Sequence, residues 1–489
     1  MVNVITQLFK YMVALIMAIY TIRCFTVFSV KKEKKKRRIY RSQNFLMLWI
    51  HLMLYTIIFL NEKSMYVLVF YGAQLCFFIV ALFMYNNIYR NASKLLINNM
   101  FFLMMIGFVM LTRLDMTLAV KQFLIAVASV AFSLTVPVIV EKVGFLSRLG
   151  IVYGIIGLGV VGSVFIFGTK VYGATNWISI AGIGFQPSEL AKIIFVFFVA
   201  ALLARSVQFV DVVKVSVAAA AHVLILVVQK DLGAAMLYKN TSLKQIMLTS
   251  ALAGVHVLML VVEKDLGAAV IFFVTYIVML YVATRRAMWP LMGLAAGAGA
   301  SVVAYHLFDH VKRRVVAWKD PWGNYNDAGY QIAQSLFAIG TGGWFGMGLY
   351  QGMPKDIPVR ESDFIFAVIA EELGGFFAIC LILVFMSCFI MFINISLRLT
   401  NNFYKLLAIG LSIAYGFQLF LCIGGVIKFI PHTGVTLPLI SYGGSSILST
   451  IIVFAVIQGL YLLKQKEVKE IEEKRRESEQ RQWNDQTRV

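Results

Sequence analysis

The residues between Asp320 and Gly374 form the part of this sequence best suited to chemistry. This stretch contains Asp320 and Asp327, and carboxylates in a solvated loop can act as general bases. It lies between two long apolar runs, and lipid cannot satisfy the backbone of such a glycine-broken segment, so it must face water or protein. A loop of this length usually carries a function. The alternative is that these acids cap turns in a loop rich in Pro and Gly.

A second set of charged residues marks the start of an apolar helix. Lys192 follows Glu189 by three residues, which places both side chains on one helical face. Pro187 and Ser188 open this helix, with Ser188 predicted as its N-cap, and Glu189 suits the positive helix end. Charge at a membrane-buried helix start indicates a substrate site or a polar network. The alternative is a capped helix with an internal ion pair.

Further charged residues lie in or near apolar segments. Lys428 is a candidate cation near the outer end of its span, although its side chain could simply reach the headgroups. Asp265 is an intramembrane or interfacial acid, a candidate for substrate binding that requires a partner or a water-filled cavity. Asp363 is predicted to cap a helix, whereas Glu371 and Glu372 are predicted to brace the adjacent loop. No metal-ligand spacing is visible.

Composition identifies the class of protein, because 60% of the 489 residues are hydrophobic and only 14% are charged. Apolar runs near the roughly 20 residues that cross a membrane recur throughout. We therefore predict an all-α, polytopic helical membrane protein. The formal charge of +20 comes from basic residues in short loops beside the spans, so it does not indicate nucleic-acid binding. Five cysteines without metal or pairing spacing imply no redox role.

About 13 spans are expected from these runs. The first run lacks a basic leader and is predicted to be a retained span. It precedes eleven residues, Lys31 to Arg41, of which eight are Lys or Arg. By the positive-inside rule these place the amino terminus outside, and the charged tail after Lys464 lies in the cytoplasm. The loop 308–362 is then extracytoplasmic. A single span is expected over 364–393.

An internal repeat occurs at an offset of 34 residues. The segments AHVLILVVQKDLGAAM and VHVLMLVVEKDLGAAV begin at positions 221 and 255, and 12 of their 16 positions are identical. Too few apolar residues follow the first copy for a return span. Residues 212–238 are therefore predicted to form a re-entrant or interfacial helix, or a tolerated duplication. A neutral duplication without function is the alternative.

Four blocks of sequence together carry a family resemblance. They are GATNWISIAGIGFQPSELAKI at 173–193, KDLGAA at 264–269, the segment from GYQIAQSLFAIGTGGWFGMGL to DFIFAVIAEELG at 329–374, and IPHTGVTLPLISYGGSS at 430–446. In this order, between the apolar runs, they resemble the shape, elongation, division and sporulation (SEDS) family that includes FtsW, RodA and SpoVE. The resemblance covers roughly residues 98–465.

The resemblance implies a ten-span membrane core. The expected organisation is an added three-helix extension at 1–97, the core at 98–465 and a charged cytoplasmic tail at 466–489. The implied location is the bacterial cytoplasmic membrane.

The resemblance also implies an activity. Members of the family polymerise cell-wall glycan strands from lipid II, transferring a chain held on undecaprenyl pyrophosphate. The implied partners are a class B penicillin-binding transpeptidase and division or elongation proteins. A divalent cation, Mg²⁺ or Mn²⁺, on the pyrophosphate is a further expectation from the family.

The same resemblance implies the site residues. The family's proposed catalytic aspartate follows a Pro-Trp-like pair by two residues, and Asn324 occupies that position here. An amide cannot act as a general base, so Asp327, or otherwise Asp320, is predicted to take the role through a shifted loop. Lys121, followed by Gln122, matches a place where the family tends to have a basic residue and Gln.

Two other functions remain open on the residues alone. A translocator of lipid-linked precursors would use the same groove and cations without needing a base. A scaffold that has lost catalysis and recruits a transpeptidase would also tolerate Asn324.

Overall fold

Long apolar helices dominate the fold, because uninterrupted apolar runs in a membrane satisfy their backbone hydrogen bonds only as helices. The structure is a computed structural model that describes residues 2–171, 174–180, 183–204 and 243–486. Three helices precede the family-like region: α1 (Val2–Ser29), α2 (Glu33–Glu62) and α3 (Met65–Ile88). The helices that follow are α4 (Lys94–Leu114), α5 (Met116–Ser133), α6 (Val136–Lys142), α7 (Gly150–Phe167), α8 (Pro187–Leu203), α9 (Leu243–Val262), α10 (Leu266–Thr284), α11 (Met288–Leu307), α12 (Asp309–Lys319), α13 (Tyr330–Gly342), α14 (Ile365–Leu373), α15 (Gly375–Ser396), α16 (Asn402–Val426) and α17 (Gly444–Gln486).

Eleven helical segments of the described residues are long and apolar enough to cross a membrane. They are α1, α2, α3, α4, the α5–α6 pair, α7, α10, α11, α15, α16 and the first part of α17. Helix α8 has 17 residues, and the apolar part of α9 is Ile246–Val262. The polytopic helical class predicted from the sequence is confirmed. The number of 13 spans and the domain boundaries stay predictions.

Helix α4 lies at the centre of the bundle. Its apolar window is buried along its whole length, and it packs against α2, α5 and α15. A helix that is apolar all round is the type that other helices can enclose on every side. Through α2, this central helix joins the amino-terminal helices to the rest of the chain.

The prediction of one span over 364–393 is wrong, because the helix is broken at Gly374 between α14 and α15. Gly374 has φ +91, and a Cβ there would lie 2.4 Å from the backbone nitrogen of Gly346. The break lets the preceding loop dock, since Gly375 N–H donates to Gly343 O at 2.8 Å. Only glycine combines this φ with so close a backbone approach.

A small antiparallel sheet lies between α7 and α8, within an otherwise helical fold. Its strands are β1 (Thr169–Val171), β2 (Ala174–Ile180) and β3 (Ile183–Phe185). In the β2–β3 pair, Ile178 lies opposite Phe185. The all-α prediction did not include this sheet. The β-branched and aromatic residues of ATNWISI favour a strand there, and the sheet leads the chain into α8.

The structure describes the second copy of the repeat and most of the charged tail, but not the first copy of the repeat. The predicted re-entrant segment 212–238 lies outside the described residues. The second copy of the repeat forms the end of α9 and the start of α10. The charged tail continues the last helix, because α17 extends to Gln486.

Candidate functional site

A cavity of about 270 Å³ lies where α8, α10 and α12 meet the segments that precede α14 and α17. Residues from all four sequence blocks line it. In chain order the blocks contribute Trp177 with Lys192, then Asp265, Asp363 and Thr436. Segments separated by more than 200 residues of sequence thus meet at one polar site inside a largely apolar protein. Polar groups at membrane depth persist where they serve one another or a ligand.

Lys192 forms a buried ion pair at one wall of the cavity. Its Nζ lies 3.0 Å from Oε2 of Glu189, as the three-residue spacing on α8 predicts. The ammonium also donates to Oε1 of Gln418 on α16, and the hydroxyl of Ser449 on α17 donates to Oε2 of Glu189 at 2.7 Å. Lys192 is only 6% exposed, so its charge interacts more strongly with a bound anion than it would in water.

Asp265 connects α10 to α8. Its Oδ1 accepts the N–H of Ala268 at 3.1 Å and so caps α10. Its Oδ2 accepts from Oγ of Ser188 and from Nε2 of Gln186, each at 2.8 Å. The prediction that Ser188 caps α8 is wrong, because Gln186 is the N-cap residue and the Ser188 hydroxyl is committed to Asp265.

Arg314 brings a second positive charge into the cavity, and the sequence reasoning did not single it out. Its Nη1 donates to Thr433 O at 2.7 Å. Burial lowers the pKa of Arg314, whereas the carboxylates of Asp363 and Asp265 act in the opposite direction. Because an Arg stays protonated in proteins, the cavity retains this charge. Arg313 and Arg314 are consecutive on α12 and point in different directions, and the local sequence does not indicate that Arg314 is the one that faces the cavity.

Asp363 is a cavity acid whose side chain is more exposed than that of Glu189. Its side chain is 23% exposed, against 12% for Glu189. Its Oδ1 accepts the hydroxyl of Ser362 at 3.1 Å, and its Oδ2 lies 3.7 Å from Nε2 of His432. The prediction that Asp363 caps α14 is wrong, because Phe364 is the N-cap residue and no side chain caps that helix. The carboxylate lines the cavity instead.

The predicted loop acids lie between α12 and α13, outside the set of residues that line the cavity. The side chain of Asp327 is 69% exposed and pairs with Arg313 at 2.8 Å. Oδ1 of Asp320 accepts the N–H of Gly323 at 2.9 Å, and Nδ2 of Asn324 donates to Asp320 O at 2.8 Å. The bonds of Asp320 and Asn324 are those of turn-stabilising side chains.

The two other predicted cations, Lys121 and Lys428, do not line the cavity. Lys121 is exposed, whereas the adjacent Gln122 is buried. Nε2 of Gln122 donates to Ser441 O at 3.0 Å, and its Oε1 accepts the N–H of Gly443 at 3.2 Å. Gln122 thus holds the turn that precedes α17. Lys428 lies in the turn after α16 with φ +60.

Glu371 and Glu372 contact the loop that precedes α14. Oε1 of Glu371 accepts the N–H of Met353 at 3.0 Å. Oε1 of Glu372 accepts the N–H of Tyr350 at 3.2 Å and lies 3.1 Å from Nη2 of Arg113. Both carboxylates therefore hold backbone of residues 350–353.

The cavity's acids do not fit a divalent cation held by the protein. The described residues contain no group of three or more His, Cys, Asp or Glu side chains placed to hold a metal ion. Glu189 is paired with Lys192, and Asp265 already accepts three hydrogen bonds.

An apolar groove of about 260 Å³ lies on another side of α8. It is lined by side chains of α5, α6, α8 and α17. On α8 its lining residues are Leu190, Ile193, Ile194 and Phe197, which share one helical face. One helix thus lines both a polar cavity and an apolar groove.

Comparison with protein families gives a match over most of the chain. The family described as cell cycle protein, FtsW/RodA/SpoVE, matches residues 93–243 and 238–465. The described helices that precede this match are α1, α2 and α3.

Curated relatives and solved structures agree with that match. The peptidoglycan glycosyltransferase RodA of Mycobacterium tuberculosis is 34% identical over 381 residues, covering 72% of this chain and 74% of the relative. The probable peptidoglycan glycosyltransferase FtsW of Aliivibrio salmonicida is 32% identical over 306 residues, covering 60% and 68%. A solved peptidoglycan synthase complex that coordinates polymerization and crosslinking contains a chain with TM-score 0.59 at 22% identity, covering 76% of this chain and 98% of that one. At that identity the structural likeness establishes the fold.

Proposed function

The chain belongs to the FtsW/RodA/SpoVE family of cell cycle proteins, and from this premise we propose that it is a peptidoglycan glycosyltransferase that polymerises lipid II. In this reaction a sugar hydroxyl of lipid II attacks the anomeric carbon of the growing chain, and undecaprenyl pyrophosphate leaves. The hydroxyl proton passes to a base. Such a reaction needs cations for the pyrophosphate, a carboxylate for the proton and an apolar surface for the lipid.

The observation that carries this proposal is the meeting of all four sequence blocks at one cavity that contains two cations and three acids. The cations are Lys192 and Arg314, and the acids are Glu189, Asp265 and Asp363. A pyrophosphate carries negative charge that increases as the bond to the sugar breaks. Buried, pre-positioned cations stabilise that developing charge without reorganisation.

We assign the pyrophosphate to Lys192 and Arg314. Both side chains are held by neighbours, Lys192 through Gln418 and Arg314 through Thr433 O. Their positions are therefore fixed before a ligand arrives, which lowers the entropy cost of binding. The guanidinium is suited to contact two phosphate oxygens at once.

For the base, the cavity offers Asp363. Asp265 accepts three hydrogen bonds and Glu189 is paired with Lys192, whereas Asp363 accepts one hydrogen bond, from Ser362 at 3.1 Å, and its Oδ2 lies 3.7 Å from Nε2 of His432. Asp327 and Asp320 remain the candidates predicted from the sequence. Either would need the loop between α12 and α13 to approach the cavity.

The apolar groove on α8 suits the isoprenoid part of the substrate. Leu190 and Ile193 line the groove while their neighbours Glu189 and Lys192 line the polar cavity. A lipid with a charged head could thus lie across α8, with its head in the cavity and its tail in the groove. Trp177, at the wall formed by β2, offers an aromatic face for a sugar ring.

We also propose the membrane orientation and the partner. The amino-terminal end of α1 contacts the loop before α14, whereas Lys464, Arg398 and Lys36 lie close enough for their like charges to repel. The basic end of the bundle is assigned to the cytoplasm by the positive-inside rule, which places the loop 308–362 outside. A class B penicillin-binding transpeptidase that crosslinks the product is the proposed partner, supported by the synthase complex that this fold resembles.

Polymerisation of labelled lipid II by the purified protein tests the proposal. We expect Lys192→Met to reduce the rate of glycan formation by about 100-fold or more, because one buried charge facing the leaving group is lost. Lys121→Met is the matched control, since Lys121 is exposed and outside the cavity. Equal rates for the two variants would contradict the assignment of the pyrophosphate to this cavity.

A further inference from the structure

Two of the three helices before the family match, α1 and α2, make direct contact with the loop that leads into the proposed site. Nε2 of Gln7 donates to Met347 O at 3.0 Å, and Nζ of Lys10 donates to Gly346 O at 3.1 Å. The hydroxyl of Tyr350 donates to Oε1 of Glu62 at 2.8 Å. Residues from both α1 and α2 thus contact one short segment, residues 343–353, hereafter the clamped segment.

Tyr350 is the centre of this contact region. Its ring lies 3.9 Å from the guanidinium carbon of Arg113, its N–H donates to Glu372 and its hydroxyl donates to Glu62. Its φ is +69, a conformation that costs a bulky residue free energy and needs support from its surroundings. Burial and the Glu62 carboxylate both raise the pKa of Tyr350, so the hydroxyl keeps the proton that it donates.

The clamped segment is in turn attached to α14. The N–H groups of Met347 and Gly348 donate to the carbonyl oxygens of Glu371 and Glu372, each at 2.9 Å. Phe376 N–H donates to Trp344 O at 3.0 Å. The segment is thus hydrogen-bonded to the carboxyl-terminal end of α14, a helix that begins two residues after the cavity acid Asp363.

The amino-terminal helices are themselves fixed to the core by buried polar groups. The hydroxyl of Tyr20 donates to Oδ1 of Asn99 at 2.9 Å, and Nδ2 of Asn99 donates to Oγ of Ser387 at 2.8 Å. The Tyr55 and Thr112 hydroxyls form a further bond of 2.9 Å. Hydrogen bonds of this kind hold helices together within apolar surroundings. The helices therefore form a fixed support against which the clamped segment rests.

We propose that the amino-terminal helices are a built-in positioning element, in which Glu62, through Tyr350, holds the clamped segment so that α14 presents Asp363 to the cavity. The catalytic part of this inference rests on the proposed glycosyltransferase function. The contact itself does not. Glu62 and Tyr350 are positioning residues, because neither lines the cavity.

Two single variants and their combination test the proposal. Tyr350→Phe keeps the ring on Arg113 and removes only the hydroxyl, whereas Glu62→Gln replaces the carboxylate with an amide whose oxygen accepts only a weaker, neutral hydrogen bond. Amide hydrogen exchange of residues 345–353, measured on the full chain in lipid nanodiscs, is expected to accelerate by about threefold to tenfold in each variant. The double variant is expected to match Tyr350→Phe, because both single variants act on the same hydrogen bond and Tyr350→Phe already removes it.

Matched controls make the same chemical changes elsewhere on the amino-terminal helices. Tyr66→Phe alters a tyrosine that is 80% exposed, and Glu33→Gln alters an acid at the opposite end of α2. Neither is expected to change exchange in the clamped segment. Unchanged exchange in Tyr350→Phe and Glu62→Gln, or additive effects in the double variant, would overturn the clamp.

Kinetics test the positioning claim separately. We expect kcat for lipid II polymerisation to fall about threefold to tenfold in Tyr350→Phe and Glu62→Gln with KM changed less than about twofold, because Asp363 is displaced while the pyrophosphate site is intact. Faster exchange without a change in kcat would overturn positioning and leave only a structural contact. A wild-type protein without polymerase activity would reject the proposed function, while the exchange measurement would still decide the clamp.

Discussion

Lys192 neutralises Glu189 and is also proposed to bind pyrophosphate. A single substitution of Lys192 removes both roles at once, so it cannot separate them. Lys192→Met leaves an unpaired buried carboxylate, which costs about 3–5 kcal/mol when a buried pair is broken. The combined variant Glu189→Gln with Lys192→Met removes both charges. We predict that it regains thermal stability but not polymerase activity, measured by unfolding in detergent and by glycan formation. Recovery of activity would show that Lys192 serves the fold alone.

One series of variants tests which residue is the base. The candidates are Asp363, Asp320 and Asp327, and Asn324 occupies the position where the family has its proposed catalytic aspartate. Asp363→Asn is expected to lower the rate by about 100-fold or more, the usual size of a lost general base. Asp320→Asn and Asp327→Asn are expected to have small effects, since both side chains lie outside the cavity. A large loss of polymerase activity in Asp327→Asn, with Asp363→Asn still active, would instead support Asp327 as the base. The loop between α12 and α13 would then have to move toward the cavity. Asn324→Asp would raise the rate if the family position is still used.

At this scale the sequence predicted the Lys192–Glu189 pair but not its surroundings. The three-residue spacing sufficed for the pair, because helix geometry is local. Gln418, Ser449 and Arg314 join the site from distant parts of the chain, and nothing in their local sequence indicates those partners. The same limit applies to Ser188, whose hydroxyl bonds to Asp265 rather than to its own helix.

At the scale of elements, Gly374 separates α14 from α15 and lets the clamped segment pack against α14. Gly374→Ala places a Cβ 2.4 Å from Gly346 N at φ +91. We predict a loss of at least about 2 kcal/mol in unfolding free energy from strain and overpacking. Thermal unfolding in detergent measures it.

The control for that prediction is another glycine in the same region. A Cβ added to Gly340, inside α13, meets nothing within 4 Å. Gly340→Ala should therefore be neutral or stabilise by about 0.5–1 kcal/mol, as expected for a helix interior. Equal destabilisation by the two substitutions would refute the account of the break.

The break also shows why hydropathy alone predicted one continuous span. Both α14 and α15 are apolar, so their composition cannot reveal a change of direction. The Gly374–Gly375 pair was the available sign, but a glycine pair is equally common where helices pack closely. The small sheet before α8 was missed for a related reason, because its strands are too short to stand out from neighbouring apolar runs.

At the scale of the molecule, the orientation in the membrane follows from the separation of the two ends of the bundle. Met353 is 72% exposed near the amino-terminal end of α1, and Glu473 is exposed on the extension of α17. In a Cys76→Ser background, we predict that Met353→Cys reacts with a membrane-impermeant maleimide in intact spheroplasts and that Glu473→Cys reacts only after lysis. The remaining native cysteines are buried. The reverse pattern would invert the proposed orientation.

The class of the molecule could be predicted from composition, and its family from four separated motifs. The role of the amino-terminal helices could not, because their contacts with the clamped segment join residues more than 280 positions apart. The first copy of the repeat lies outside the described residues, and its predicted re-entrant helix stays a prediction. The structure therefore adds to the sequence-based prediction mainly the contacts between residues that are distant in the chain.

The most direct measurement is the fate of labelled lipid II in proteoliposomes that contain only the purified wild-type protein, with glycan length and lipid translocation recorded together. The account predicts long glycan strands and a loss of at least about 100-fold in the combined Glu189→Gln, Lys192→Met variant. Translocation of lipid II without any polymer would contradict the account and favour a translocator. Neither product, with lipid II still bound, would favour a scaffold.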